Sequence, residues 1–191
     1  MTSNTILDSG DRQHALQMRV AGLCHLIRFA ALAWIGWTLL IILSHWTDIE
    51  VVKQSWGHYL KIDLTTLPHA HYAEAFAVVL IDWAIAALVV VFVWRLFGCY
   101  LRGSIFSAEA VEVMRNLGWA GVAAVAADMT ARPLLQLIFT QHLETGVSTG
   151  RPWIWAEPND ALHLLMALFI VAIAHIFRTG VEIADDNRQI V

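Results

Sequence analysis

The amino-acid sequence predicts an all-α integral membrane protein, an antiparallel four-helix bundle that forms one membrane domain over residues 1–191. Two observations support this fold class. Hydrophobic residues make up 58% of the chain and charged residues 15%, whereas soluble domains have roughly 45–50% and 25%. In addition, four apolar stretches reach the length of about 20 residues that a helix needs to cross the hydrocarbon. These stretches lie at about residues 25–45, 74–97, 117–140 and 160–178.

The first apolar stretch is expected to remain in the protein as a membrane-spanning helix. Residues 1–24 contain four Asp or Arg side chains and lack the apolar core of a signal peptide. The stretch that follows is longer than the roughly 7–15 apolar residues of such a core. Because backbone groups in lipid must be paired within their own segment, all four stretches are expected to be helices.

The connection between the first and second spans, residues 46–73, is longer than the other two connections. Within it, apolar residues recur at helical spacing. They are Ile49, Val52, Trp56, Tyr59 and Leu60. This pattern predicts a short amphipathic helix that lies on the outer membrane surface. The alternative is a lid over the mouth of the bundle, since long connections often have functional roles.

The connection between the second and third spans has residues suited to a turn and to a helix start. Gly103 supplies the turn, and Ser107 is placed to cap the helix that follows. Glu109 and Glu112 fall near the positive end of that helix, where acidic side chains are stabilising. The third helix is therefore expected to begin before its apolar stretch does.

The placement of Lys and Arg predicts that both termini and the 98–116 connection face the cytoplasm, because cytoplasmic flanks have an excess of these residues. Eight such residues flank the termini and this connection, and three flank the other two connections. The eight are Arg12, Arg19, Arg28, Arg95, Arg102, Arg115, Arg178 and Arg188, and the three are Lys53, Lys61 and Arg151. Trp94 and Trp119 fall near the same inner boundary, as in the aromatic belts of membrane proteins.

Three ionisable residues lie within the spans, namely Asp82, Asp128 and Arg132. By the helical rise, Asp82 and Arg132 each lie about 12 Å inside the outer boundary. Asp128 lies one turn from Arg132 on the same helix face. A network of the three is therefore expected, with Pro133 beside it able to kink the helix. Two interpretations stay open: a structural ion network that fixes packing, or a site for ion or proton transport or sensing.

The nine histidines raise the question of a haem or a metal. His25 and His45 on the first span and His163 and His175 on the fourth would suit a b-type haem redox subunit. At about 100° per residue, however, neither pair shares a helix face. We therefore expect no haem. A haem-binding redox subunit is kept only as a further functional alternative.

The outer histidines are weak candidates for a metal site. His69 and His71, with His58 and His142 also in outer segments, could bind Zn²⁺ or Cu²⁺, but no spacing determines a third ligand. No cofactor is expected. Nucleophilic triads and Gly-rich phosphate loops are absent from the sequence, so the chain is expected not to be an enzyme. It also has no Lys/Arg run, and no direct contact with nucleic acid is expected.

Two blocks of residues, one after each of the second and fourth spans, are similar to a known family. The first block contains Gly103, Ile105, Phe106, Ser107, Glu109, Arg115, Leu117 and Gly118, and the second contains Phe177, Gly180, Asp185, Asp186 and Asn187. Together they resemble the YoaS-like family of small bacterial membrane proteins, domain of unknown function 2975, over roughly residues 20–191. Family tails tend to end in an acidic-Asn-Glu-Leu-Thr-Val type of sequence, whereas this chain ends in residues 187–191 as Asn-Arg-Gln-Ile-Val.

The resemblance implies a protein of the bacterial inner membrane with no established activity. Family members are often encoded beside a small helix-turn-helix regulator, which implies a cytoplasmic DNA-binding partner. We therefore expect a regulatory or interaction protein, while a homo-oligomer and a small transporter that uses the intramembrane charges stay open.

The partner is expected to bind a cytoplasmic patch made of two segments. The residues of this patch are Ile105, Phe106, Ser107, Glu182, Asp185 and Asp186. Apolar anchors beside an acidic rim would suit a basic soluble partner, because charge steers the encounter and apolar contacts hold it. The alternative is that Phe106 only packs beneath the third helix.

Overall fold

A computed structural model describes the backbone of residues 3–103, 107–141 and 157–189, and the side chains of residues 21–103, 107–141 and 157–183. Over these ranges the chain forms five α-helices and no strand. The helices are α1 (Ser3–Trp46), α2 (Ile49–Leu60), α3 (His69–Leu101), α4 (Ala108–Thr140) and α5 (Pro158–Gln189).

Four of the helices are long and apolar enough to cross a membrane. Their candidate spans are Ala21–Trp46, His69–Leu101, Ala108–Thr140 and Pro158–Ile183. The predicted all-α membrane bundle is therefore confirmed, and the chain is a multi-pass membrane protein. The single domain over residues 1–191 stays a prediction.

The spanning helices pack in the order α1, α3, α4, α5, because α3 lies against both α1 and α4, and α5 lies against α4. Ring contacts of Trp46 with Phe76 and of Phe29 with Trp94 show that α1 and α3 are antiparallel. The helix α2 lies at one end of the bundle, which we call the α2 end. The opposite end, where residues 102–107 connect α3 to α4, we call the turn end.

The predicted amphipathic helix is present as α2, and its apolar face packs onto the bundle. Asp48 caps its start by accepting a hydrogen bond from the backbone N–H of Glu50 at 2.9 Å. Val52 and Leu60 are fully buried in a cluster with Phe139 of α4 and with residues of α1 and α3. Burying each such side chain is worth about 1.5–3 kcal/mol. Thus α2 packs against the ends of three spanning helices.

The start of α4 agrees with the sequence prediction. The Ser107 hydroxyl accepts a hydrogen bond from the backbone N–H of Ala110 at 3.1 Å, which confirms the predicted cap. Gly103 has a φ of 78°, in the left-handed region that favours glycine. Glu109 lies in the first turn of α4 and pairs with Arg102 at 3.0 Å, so the connection is held at both sides.

The helices α4 and α5 are in close contact at two glycines. A Cβ atom on Gly118 would lie 2.5 Å from Cγ2 of Val171, and one on Gly121 would lie 3.0 Å from Cβ of Ala167. Small residues allow membrane helices to approach closely in this way. Because the later glycine faces the earlier residue of α5, the two helices are antiparallel.

These contacts also determine how far α5 is displaced along α4. With Gly118 opposite Val171, the start of α5 at Pro158 lies near the level of Ala131. This level is about nine residues, or about 14 Å, from the end of α4 at Thr140, in the direction of the turn end. At the turn end, α5 continues about eight residues, or about 12 Å, beyond the first residue of α4.

A similar extension is present in α1. The contacts with Phe76 and Trp94 place the end of α3 near residue 20 of α1. The backbone of α1 is helical from Ser3, so residues 3–20 continue beyond α3 by about 25 Å. Both extensions are at the turn end.

Candidate functional site

Arg132 and Asp128 lie one turn apart on α4 and form an ion pair through Nη2 of Arg132 and Oδ2 of Asp128. Side chains on a helix tilt towards its N-terminus, so Arg132 points towards Asp128 and the interior of the span. Its guanidinium is thus directed away from the nearer helix end at Thr140. Pro133 follows within the unbroken helix and has no N–H, which leaves the carbonyl of Met129 without its usual helical donor.

A third residue, Asp160 of α5, contacts Arg132 through two hydrogen bonds. Nη1 and Nη2 of Arg132 donate to Oδ2 and Oδ1 of Asp160, each at 2.8 Å. This two-bond geometry is the strong form of an Arg–carboxylate pair. The side chain of Asp160 is 6% exposed, against 27% for Arg132 and 46% for Asp128. Asp160 is therefore the buried partner and Asp128 the half-exposed one.

The local sequence explains why Asp160 stands at this position. It lies in the first turn of α5, where the helix dipole stabilises a negative charge. Its Oδ2 also accepts a hydrogen bond from the backbone N–H of Glu157 at 2.6 Å. Pro158 occupies the first helical position, where its missing N–H costs nothing. Asp160 thus accepts hydrogen bonds from both the start of α5 and Arg132.

Of the predicted network, the structure brings Asp128 and Arg132 together but not Asp82. Within the described residues, the ion-pair partners of Arg132 are Asp128 and Asp160. Asp82 lies on α3, is partly buried, and is close enough for the charges of Asp128 and Arg132 to act on it. Both terminal nitrogens of Arg132 already donate to Asp160. This explains why Asp82 has no direct contact with Arg132. We call Arg132, Asp128, Asp160 and Asp82 the Arg132 cluster.

The Arg132 cluster has an excess of acidic groups. Three carboxyl groups and one guanidinium leave a formal excess of two negative charges if all are ionised. Such groups at bilayer depth are rare and are functional by default. Asp160 was missed because it stands at the start of the fourth apolar stretch, where the sequence suggests a boundary. An acidic residue two positions after a proline at a helix start was the available signal.

The histidine candidates are not brought together. His71 Nδ1 lies 3.0 Å from Oε2 of Glu74 on the same helix, and His69 is exposed. The part of the chain that the structure describes contains no group of three His, Cys, Asp or Glu residues that could hold a metal. His142 lies outside the described residues.

The four histidines considered for a haem do not converge either. They lie on α1 and α5, which are at opposite sides of the packing order. His45 Nε2 lies 3.2 Å from the Ser55 hydroxyl of α2, while the other three, His25, His163 and His175, are exposed. The described geometry thus offers no facing pair of axial ligands.

The residues of the predicted cytoplasmic patch are only partly described. Ile105 and Phe106 lie outside the described residues. Asp185 and Asp186 belong to the last turns of α5, but their side chains also lie outside the described part. Glu182 is exposed and accepts a hydrogen bond from Nε of Arg178 at 2.9 Å. Together with the Ser107 cap, this places the described patch residues at the turn end.

Comparison with known proteins gives a family match. A family model with the description "Protein of unknown function (DUF2975)" matches residues 28–191 of the chain. This match confirms the resemblance to domain of unknown function 2975 that was based on the two sequence blocks. No curated protein and no solved structure matches the chain.

The two acidic partners of Arg132 should differ in their contribution to stability. Replacing Asp160 by Ala should lower the free energy of unfolding by about 3–5 kcal/mol, because a buried ion pair is broken and Arg132 loses both hydrogen bonds to Asp160. Replacing Asp128 by Ala should cost clearly less, because Asp128 is half exposed and the fork remains. Reversible unfolding in mixed micelles measures both, with Asn159→Ala as the control on the same turn. Equal losses for the two Asp variants would contradict the assignment.

Proposed function

The chain belongs to the DUF2975 family, and from this premise we propose that it is a regulatory membrane protein that binds a soluble partner at its turn end. The expected partner is a small DNA-binding regulator in the cytoplasm. The role is one of binding and needs no catalytic group. It takes place in the inner membrane of a bacterium, with both chain termini in the cytoplasm.

The observation that supports this proposal is the extension of α1 and α5 beyond the other helices at the turn end. At 44 residues, α1 is about 66 Å long, whereas a bilayer with its headgroups is about 40–45 Å thick. A helix that only anchors the chain needs no such length. The extensions provide helical surface outside the lipid, where a soluble protein can bind.

The charges of the extensions suit a basic partner. The last turns of α5 contain Glu182, Asp185 and Asp186 and one basic residue, Arg188. Acidic groups steer a basic protein towards the surface, and the apolar Ile105 and Phe106 of the connection would anchor it. DNA-binding proteins have basic surfaces for the phosphate backbone. A regulator bound through such a surface would be held at the membrane and away from DNA.

The orientation that the proposal requires can be tested with a reporter that is active only in the periplasm. Fused to Val191, the reporter should be inactive, because the excess of Arg at the turn end keeps this end in the cytoplasm. Fused after Asp63, in the connection at the α2 end, it should be active. Activity at Val191 would contradict both the orientation and the proposed binding site.

Partner binding should depend on the acidic end of α5. When Asp185→Lys and Asp186→Lys are combined, co-purification should recover about ten-fold less of the DNA-binding regulator encoded by the neighbouring gene. This corresponds to about 1.4 kcal/mol of binding free energy. The control is Glu74→Lys, an exposed acidic position at the α2 end. Phe106→Ala tests the apolar anchor separately. Unchanged recovery with the double reversal and with Phe106→Ala would overturn the proposal.

A second candidate function, proton or cation transport, is favoured by the Arg132 cluster. Asp160 occupies the fork of Arg132, so Asp82 is left without a direct ion pair among the described residues. Antiparallel packing of α3 and α4, each of 33 residues, places Asp82 near the level of Asp128. Two carboxyl groups at one depth could exchange a proton, as acidic relays do in pumps and transporters.

This candidate predicts proton flux through the reconstituted protein. Vesicles that contain the wild-type chain should dissipate an imposed pH gradient faster than empty vesicles, as followed by a trapped pH-sensitive dye. Asp82→Asn should reduce the flux to that of empty vesicles, because the exchanging carboxyl group is lost. Glu74→Gln, on the same helix but outside the cluster, should not. Wild-type vesicles that behave as empty ones would exclude the candidate.

A further inference from the structure

Four arginines, one on each spanning helix, lie near one level at the turn end. They are Arg28 on α1, Arg95 on α3, Arg115 on α4 and Arg178 on α5. The guanidinium carbon of Arg28 lies 3.6 Å from the centre of the Trp94 ring, next to Arg95. Arg115 and Arg178 line the same groove between α4 and α5. We call these four residues the arginine belt.

The arginine belt marks the level of the lipid headgroups. Two tryptophans lie at about the same level, Trp94 beside Arg28 and Trp119 one turn from Arg115, and the side chain of Trp119 is exposed. Arginine and tryptophan side chains are enriched at the boundary between hydrocarbon and headgroups, where an apolar stem or ring lies in lipid and a polar tip in water.

A groove of about 360 Å³ opens at this level between the first turns of α4 and residues 174–182 of α5. Its volume lies within the range of about 300–1,000 Å³ that is typical of sites for small ligands. Buried Val111 and Ala174 form part of its apolar lining. The groove therefore combines an apolar base with an opening at the depth of the headgroups.

The two arginines of the groove have hydrogen-bond donors that are not used within the described part of the chain. Arg115 is 36% exposed, and its nearest carboxylate oxygen, Oε1 of Glu112, is 3.9 Å from Nη2, beyond hydrogen-bond distance. Arg178 donates to Glu182 through Nε, so its Nη1 and Nη2 atoms remain for another acceptor. Planar guanidinium donors of this kind match the geometry of a phosphate.

The groove also contains two acidic groups, Glu112 and Glu182, beside the arginines. With two arginines and two glutamates, its formal charge is zero when His175 is neutral, so it does not select for a ligand with a net negative charge. A ligand that matches both signs would have a phosphate for Arg115 and Arg178, and an ammonium for the two carboxylates.

We propose that this groove binds the headgroup of a bilayer phospholipid that has a phosphate and a primary ammonium, of the phosphoethanolamine type. The lipid is the source of the ligand because the groove opens at headgroup level, with apolar surface below it for acyl chains. The phosphate accepts from Arg115 and Arg178, and the ammonium donates to Glu112 and Glu182. The bound headgroup would bridge α4 and α5 beneath the extension of α5. This site shares Glu182 with the proposed surface for a soluble partner, but it uses neither Asp185 nor Asp186.

Native mass spectrometry of the full chain in detergent tests the proposal. The protein is offered equal amounts of phosphatidylethanolamine, phosphatidylglycerol and phosphatidylcholine. Phosphatidylethanolamine should be retained at one molecule per chain, and about ten-fold better than the other two. Arg115→Gln and Arg178→Gln should each reduce this retention about ten-fold. Arg95→Gln, a change in the same belt but outside the groove, should leave it unchanged.

The acidic half of the groove has its own readout. Glu112→Gln should abolish the preference for phosphatidylethanolamine over phosphatidylcholine, because the trimethylated ammonium has no N–H to donate and the amide no longer attracts a cation. Equal retention of the three lipids by the wild-type chain would overturn the proposal, and so would a preference for phosphatidylglycerol. Equal effects of Arg115→Gln and Arg95→Gln would overturn it as well.

Discussion

The close contact of α4 and α5 at Gly118 is the constraint on which the rest of the structure depends. A side chain on this residue would lie 2.5 Å from Cγ2 and 2.9 Å from the backbone nitrogen of Val171, so only glycine permits this approach. In lipid no hydrophobic force drives two helices together, and close packing of small residues takes its place. The contact determines the position of α5 along α4. Because of this contact, α5 begins about 14 Å short of the end of α4 at the α2 end, which we call its low start, and it extends beyond α4 at the turn end.

The low start of α5 explains the pairing of Arg132 with Asp160. A helix that begins below the level of its neighbours exposes unpaired N–H groups where water is scarce, and these need partners. Asp160 supplies one by accepting from Glu157, and Arg132 then balances the charge of Asp160. Desolvating such a pair is costly, and its benefit is often a defined arrangement rather than added stability. Here the pair joins the two helices only when α5 has its observed displacement.

The features that the sequence predicted correctly have a signal that lies within one segment. The four spans follow from the lengths of the apolar stretches, the Ser107 cap from the residues around the turn, and the pair of Asp128 and Arg132 from their spacing of one turn. The partner of Arg132 on another helix was different. Depth along a helix can be counted from its own ends, but the displacement between two helices depends on packing at Gly118. The sequence therefore suggested Asp82 as the partner at equal depth, whereas Asp160 occupies the fork.

The low start of α5 also makes the molecule uneven in hydrophobic thickness. Between Glu74 and Arg95, α3 presents 20 residues, a length of about 30 Å, whereas α5 presents 17 residues between Asp160 and Arg178, about 25 Å. A bilayer adapts to a short hydrophobic segment by thinning beside it. The hydrophobic surface that contacts lipid is therefore about 30 Å thick on the α3 side and about 5 Å thinner on the α5 side. Such a lateral step in thickness would favour a thinner bilayer beside α5 than beside α3.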